Sequence, residues 1–261
     1  MKNINVKDKV VIITGASGFI GKSLANEFAN CGAKVIIADI DDIRGEAAAR
    51  EIRDKGLFAE YIHYDQREEK SVNDAVLYVK NKFGRIDVMI NNAGVNIPQD
   101  CRRPINEFMD EKFLWMMDVD FYGLIRSLKA VLPVMKEQGG GSIINTTSVN
   151  SYVPLRMQCA FPAAKNAANI LTKSVAAEYA PFNIRVNAIA PGSTPMTDGS
   201  WQAIMHDDQN IELIKHIPMK RQALVDEMAG ICLYFATDEL SSYTTGQIVC
   251  VDGGWTIAQN F

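Results

Sequence analysis

The sequence has little of what several function classes require. Histidine occurs three times in 261 residues (His63, His206, His216) and cysteine five times (Cys31, Cys101, Cys159, Cys232, Cys250). None forms a CxxC pair or stands at ligand spacing, so no metal centre is expected and the cysteines read as structural or incidental. Positive charge is also scarce: 27 Lys and Arg stand against 31 Asp and Glu, a net charge of −4. No basic run exceeds a pair, which argues against a nucleic-acid partner, and Arg102-Arg103 reads as a solvated turn. Long apolar runs are missing. "VVIIT" and "VIIA" have the length of strands, far short of the roughly 20 residues that cross a bilayer. The opening "MKNINVKDK" lacks the apolar core of a secretory signal, so a soluble, cytoplasmic protein without a membrane partner is expected.

What the sequence does have is alternation. Short apolar strands at 9–14, 33–39, 58–65, 86–94, 141–148, 184–192 and 247–254 are separated by amphipathic helical stretches, among them a long one over 109–137. Buried strands joined by helices predict an α/β fold, a doubly wound, mostly parallel Rossmann-type sheet with helices on both faces in a three-layer sandwich. No linker or repeat divides the chain, so one domain over 1–261 is expected. The irregular segment 193–219 follows a strand's carboxyl end, where ligands bind in such sheets, and is expected to form a substrate-side lid.

The first strand runs directly into "TGASGFIG". Gly15, Gly18 and Gly21 let the backbone turn and approach a diphosphate, and Ser17, Phe19 and Ile20 bring the N-terminus of a helix to the same place. Asp39 ends the second strand, 18 residues beyond Gly21. A carboxylate there suits the adenosine ribose hydroxyls and repels a 2′-phosphate, so NAD(H) is expected over NADP(H). Arg44, on the following helix among acids, reads as a surface charge.

"TGASGFIG", Asp39, Asp65, "NNAG" (91–94), Ser148, Lys165, "PG" (191–192) and "VDGG" (251–254) together resemble the short-chain dehydrogenase/reductase family over nearly the whole length. The glycine spacing TGxxGxxG differs from the TGxxxGxG usual in single-domain members and matches the family's longer branch. The resemblance implies a hydride exchanged between nicotinamide C4 and a carbinol or carbonyl carbon. It adds Asp65, Asn91, Ala93, Gly94, Pro191, Gly192 and Thr194 to the cofactor contacts, with Lys165 on the ribose.

The resemblance also implies a quartet of Asn, Ser, Tyr and Lys. At those positions this sequence has Asp120, Ser148, Phe161 and Lys165. Phe161 keeps the aromatic ring and loses the hydroxyl that would transfer the proton. Asp120 keeps the shape of Asn and adds a charge that, near Lys165, would pair with it or retain a proton. The one literal YxxxK, Tyr78 to Lys82, precedes the "NNAG" strand and lies on the wrong helix, with Tyr78 on an apolar face and Lys82 at a solvated end.

Four readings stay open. The chain is an oxidoreductase with another proton source, for which Tyr152 is a candidate, though a tyrosine there is more often a pocket wall. It is an engineered Tyr→Phe trap, an idea that the second change at Asp120 weakens. It is a non-catalytic NAD(H)-binding relative, a sensor or silent subunit. Or it catalyses a step needing no tyrosine, such as an epimerisation or elimination. The oxidoreductase scaffold, impaired or atypical, is favoured and the silent binder ranks second. "SVNSYVPLRMQC" (148–159) suits a polar small-molecule substrate with some apolar body, with Arg156 a candidate anion anchor. Ile231, Phe235, Val249 and Val251 read as outward-facing apolar positions on elements through which the family pairs subunits, so a homodimer or homotetramer is expected.

Overall fold

Apolar residues on consecutive positions of a strand must find cover on both of its faces, and this requirement sets the architecture. In β1 (Val10–Thr14) every residue is buried. Val11 and Ile13 enter one core, while Val10 and Ile12 enter another across the sheet. β2 (Lys34–Asp39), β4 (Val88–Asn91) and β5 (Gly141–Thr146) divide in the same way: Val35, Ile37, Val88, Ile90 and Ile144 face the first core, and Ile36, Ala38, Met89 and Ile143 the second. With β3 (Ala59–His63), β6 (Ile184–Pro191) and β7 (Ile248–Val251) they form one seven-stranded sheet in the order β3-β2-β1-β4-β5-β6-β7, every pairing parallel. The computed structural model describes residues 3–96, 102–195 and 207–258.

Helices cover both faces. α1 (Phe19–Asn30) and a late helix, α8 (Ala229–Ala236), close the first core with Leu24, Phe28, Cys232 and Phe235. α3 (Glu69–Phe83) and α5 (Gly123–Glu137) close the second with Val72, Val79, Leu128 and Met135. Each such large side chain taken fully from water contributes about 1.5–3 kcal/mol before the entropy of ordering it. α2 (Asp42–Arg53) begins at Asp41, whose side chain accepts from the Ile43 and Arg44 backbone N–H groups.

The helical stretch at 109–137 is interrupted. It comprises α4 (Asp110–Met117), a π-helical turn at Asp118–Tyr122, and α5. A π turn carries an extra residue, and here it turns Asp120 inward against α6 (Ala160–Tyr179). α6 tolerates that approach because its facing positions are small: Ala160, Ala164 and Ala168 are buried. A seventh helix, α7 (Asp207–His216), falls within the segment expected as a lid, of which 196–206 lies outside the described residues. Cys101 and His206 also lie outside them.

Two surface expectations are corrected. Phe235 is 1 % exposed and belongs to the first core instead of facing outward. Tyr78 is exposed and donates to Glu60, to which Lys82 is also paired at 2.7 Å, so that YxxxK is a surface ion pair.

Candidate active site

The sheet order reverses direction between β1 and β4, so the loops leaving their carboxyl ends diverge and open a crevice. A cavity of about 670 Å³ occupies it. Along one side lie the glycine loop, Asp39, Asp65 and the turn after β4; along the other lie Ser148, Phe161, Lys165 and the turn after β6.

The first side suits a dinucleotide. A Cβ at Gly21 would stand 2.2 Å from the Gly15 carbonyl oxygen and 2.8 Å from Ala16 Cα, so only glycine lets α1 start this close to the loop. Asn92 ties that loop to β4: its Nδ2 donates to the Thr14 and Gly15 carbonyls at 3.1 and 3.3 Å, and its N–H donates to Thr14 Oγ1 at 3.0 Å. Asp39 is buried, with Oδ2 accepting from the Ser17 N–H at 2.9 Å and Oδ1 from the Asp41 N–H at 3.1 Å. Its carboxylate is therefore fixed beside the glycine loop. Asp65 is bound through two oxygens by Arg67, at 3.1 and 2.7 Å, and that guanidinium holds its carboxyl below the usual range.

The second side holds the positions of the expected quartet. Ser148 follows β5; its Oγ accepts from the Asn150 N–H at 3.1 Å. Among the described residues that Oγ donates to nothing, so the hydroxyl proton is available to an oxygen in the cavity. Lys165 is buried; its Nζ donates to the Thr146 carbonyl at 3.3 Å and lies 3.5 Å from Asp120 Oδ1. Asp120 Oδ1 also accepts from the Val95 N–H at 2.9 Å, whereas Oδ2 is buried without a partner. Burial pushes the Asp120 carboxyl up, against the opposing pull of the Lys165 charge and the Val95 N–H. A Cβ at Gly94 would meet Asp120 Oδ1 at 2.8 Å and Lys165 Nζ at 2.9 Å, so this glycine makes room for the pair. The Phe161 ring centroid is 5.6 Å from Lys165 Nζ, and the ring packs toward Phe108, Met116 and Ala160.

Most positions singled out in the sequence come together here: Gly15, Ser17, Gly18, Phe19, Ile20 and Gly21 from the loop, then Asp39, Asp65, Ala93 and Gly94, and finally Pro191, Gly192 and Thr194 beside Ser148, Phe161 and Lys165. Asp120 stands behind Lys165 instead of on the wall. Asn91 is corrected: it donates to Asn145 at 2.9 Å and accepts from Ser127, because a strand residue one place before the turn points into the sheet's flank. Its neighbour Asn92 lines the cavity in its place. Tyr152 is corrected too. It is 48 % exposed and the wall passes from Asn150 to Leu155 without it, so it neither lines the cavity nor faces Ser148 within it. Arg156 is likewise exposed and off the wall, while Arg102, read as a solvated turn, is half-buried and on it. Trp115 and Gln158 also line the cavity, and no motif marks either. Among the described residues no group of three or more His, Cys, Asp or Glu is placed to hold a metal, and no helix is long and apolar enough to cross a membrane.

A family model described as enoyl-(acyl carrier protein) reductase matches residues 15–256. A solved short-chain type dehydrogenase/reductase from Mycobacterium marinum superposes with a TM-score of 0.89 at 30 % identity, covering 97 % of each chain. The chain belongs to the short-chain dehydrogenase/reductase family. By homology it is an oxidoreductase of the kind that converts alcohols and ketones with a nicotinamide cofactor. Trans-4-hydroxycyclohexanecarboxylate dehydrogenase of Sinomonas cyclohexanicum is 35 % identical over 266 residues, covering 98 % of this chain and 95 % of that one. The structure of a gluconate 5-dehydrogenase from Burkholderia cenocepacia J2315 in complex with NADP and tartrate has a TM-score of 0.91 at 30 % identity, covering 98 % of each.

Proposed function

We propose that this chain is an NAD(H)-dependent dehydrogenase/reductase of a secondary alcohol or ketone, slow by the ordinary route because position 161 has no hydroxyl. The observation that carries the reading is the survival, in one cavity, of Ser148 with its proton unspent and of Lys165 with an acid behind it, while Phe161 offers only a ring. The glycine loop and Asn92–Gly94 would hold the diphosphate and nicotinamide ribose, Asp39 the adenosine ribose, and Lys165 the ribose next to the reacting carbon. When bound, the nicotinamide supplies hydride exchange with the carbinol or carbonyl carbon. Ser148 Oγ donates to the substrate oxygen and orients it. Lys165 Nζ, 3.5 Å from Asp120 Oδ1, takes the part left vacant at 161.

NAD(H) is favoured over NADP(H) because Asp39 already occupies the space beside the Ser17 N–H that a 2′-phosphate would need, and Arg67 is neutralised by Asp65. The related gluconate 5-dehydrogenase was crystallised with NADP; here NADH is expected to bind more tightly than NADPH in a titration of both cofactors.

The deciding experiment compares wild type with Phe161→Tyr on a panel of ketones and alcohols. General acid–base catalysis is worth about 10²–10⁴ in rate, so Phe161→Tyr is expected to raise kcat/KM by at least about a hundredfold at unchanged NADH affinity. NADH binding without turnover in either form would instead leave a silent binder.

A further inference from the structure

Three cationic side chains line the cavity among the described residues: Arg67, Lys165 and Arg102. Arg67 is neutralised by Asp65 at 2.7 Å, and Lys165 has the Asp120 carboxyl at 3.5 Å. Arg102 is different. No carboxylate among the described residues pairs with it, yet it is half-buried, and that burial pulls its guanidinium down from its usual value. What holds it is neutral. Gln158 Oε1 accepts from Asn96 Nδ2 at 3.4 Å, and with the amide turned the oxygen instead accepts from Arg102 Nη1 at 3.3 Å and Nη2 at 3.2 Å. Gln158 is itself 2 % exposed and lies three residues before Phe161, at the entry to α6. A buried amide thus holds a guanidinium on the wall beside Phe161 and Lys165, where no carboxylate among the described residues compensates its charge.

Taking a cation from water without a counter-charge is costly, and a ligand carboxylate removes that cost through two parallel charge-assisted hydrogen bonds. Apolar and aromatic side chains, Trp115, Val149, Leu155 and Trp255, line the same cavity, beside the neutral amides of Asn96 and Asn150. Among the described residues Arg102 is the one cation of the cavity without a carboxylate partner, and it matches a monoanion better than a phosphate dianion, for which those residues offer no second unpaired cation. We infer that Arg102, positioned by Gln158, is a substrate-carboxylate anchor, so that the substrate class is a hydroxy or keto monocarboxylic acid with an apolar body. This rests on the oxidoreductase reading above for the carbinol or carbonyl, though not for the acid group.

The test is calorimetric binding to the NADH-loaded and to the cofactor-free protein. The probes are 4-oxocyclohexanecarboxylate and 4-oxopentanoate, each against its methyl ester, with dihydroxyacetone phosphate as the phosphate arm. Hydrogen bonds to charged groups imply that each acid binds at least about tenfold more tightly than its ester. Arg102→Leu abolishes this ratio and Arg102→Lys retains part of it, both with NADH affinity unchanged, which also reports that the variants are folded. Equal affinity for acid and ester, no detectable binding of either acid, a ratio that survives Arg102→Leu, or tighter binding of the phosphate than of either acid overturns the assignment. Failure of the wild type to bind NADH would sink the dehydrogenase reading alone, since the acid-to-ester ratio of the cofactor-free protein still decides Arg102.

Discussion

Asp120 is 4 % exposed, with one carboxylate oxygen on the Val95 N–H and near Lys165 and the other without a partner. Burial raises its folded pKa above the unfolded value, so the sign of its linkage is fixed. Its contribution to stability is fully present below the ordinary carboxylate range and is lost as pH rises through the raised value. Urea midpoints followed from acidic to neutral pH should therefore shift in favour of Asp120→Asn, relative to wild type, as pH rises across that window. A difference that stays flat would mean that Lys165 compensates the carboxylate completely. Asp39 acts on a different partner. Its oxygens accept from two backbone N–H groups, Ser17 and Asp41, and under the proposed reading this carboxylate also holds the adenosine ribose. Asp39→Ala is expected to lower the NADH-over-NADPH affinity ratio at least about tenfold, measured by fluorescence titration of both cofactors.

Among the elements, the π turn at Asp118–Tyr122 has the largest consequence for the site. A regular helix over 109–137 would carry its residues past α6 at an even 3.6 per turn; the extra residue brings Asp120 round to Lys165 and lets Val119 receive Gln66 Nε2 at 3.0 Å on its carbonyl. Helical periodicity is visible in the sequence, but the extra residue is not, because its partners, Gln66, Val95 and Lys165, are distant in sequence. α2 shows the opposite case. Asp41 meets the Ile43 and Arg44 N–H groups at 3.1 and 2.9 Å, an interaction between near neighbours. Asp41→Ala should cost about 0.5–2 kcal/mol in chemical denaturation, with NADH affinity little changed.

At the scale of the whole molecule, β7 is the sheet's outer strand beyond β6, and its four residues are all partly exposed. Ile231, Val249 and Val251 are only partly buried against the first core, whereas Phe235 is wholly inside it. An apolar edge strand left open is a pairing hazard, which a second copy would remove. We expect light scattering to give a dimer or tetramer; a monomer at micromolar concentration would refute this.

The sequence by itself determined the parallel sheet and the glycine-loop side of the crevice. Those depend on local chemistry: unbroken apolar strands that need cover on both faces, glycines where a Cβ would strike the next turn, and an acid at a strand's end. It also determined that position 161 has no proton to transfer. Only the tertiary structure decided which neighbours share the remaining work. Asn92 and not Asn91 faces the crevice because strand alternation ends at the turn, and Tyr152 turns outward while Arg102 turns in. Arg102 and Gln158 are 56 residues apart, and Asp120 and Lys165 are 45 apart. Nothing in either local pattern encodes those meetings; they follow from how α6 packs against the turn after β4 and the π-helical segment, which is a property of the folded chain.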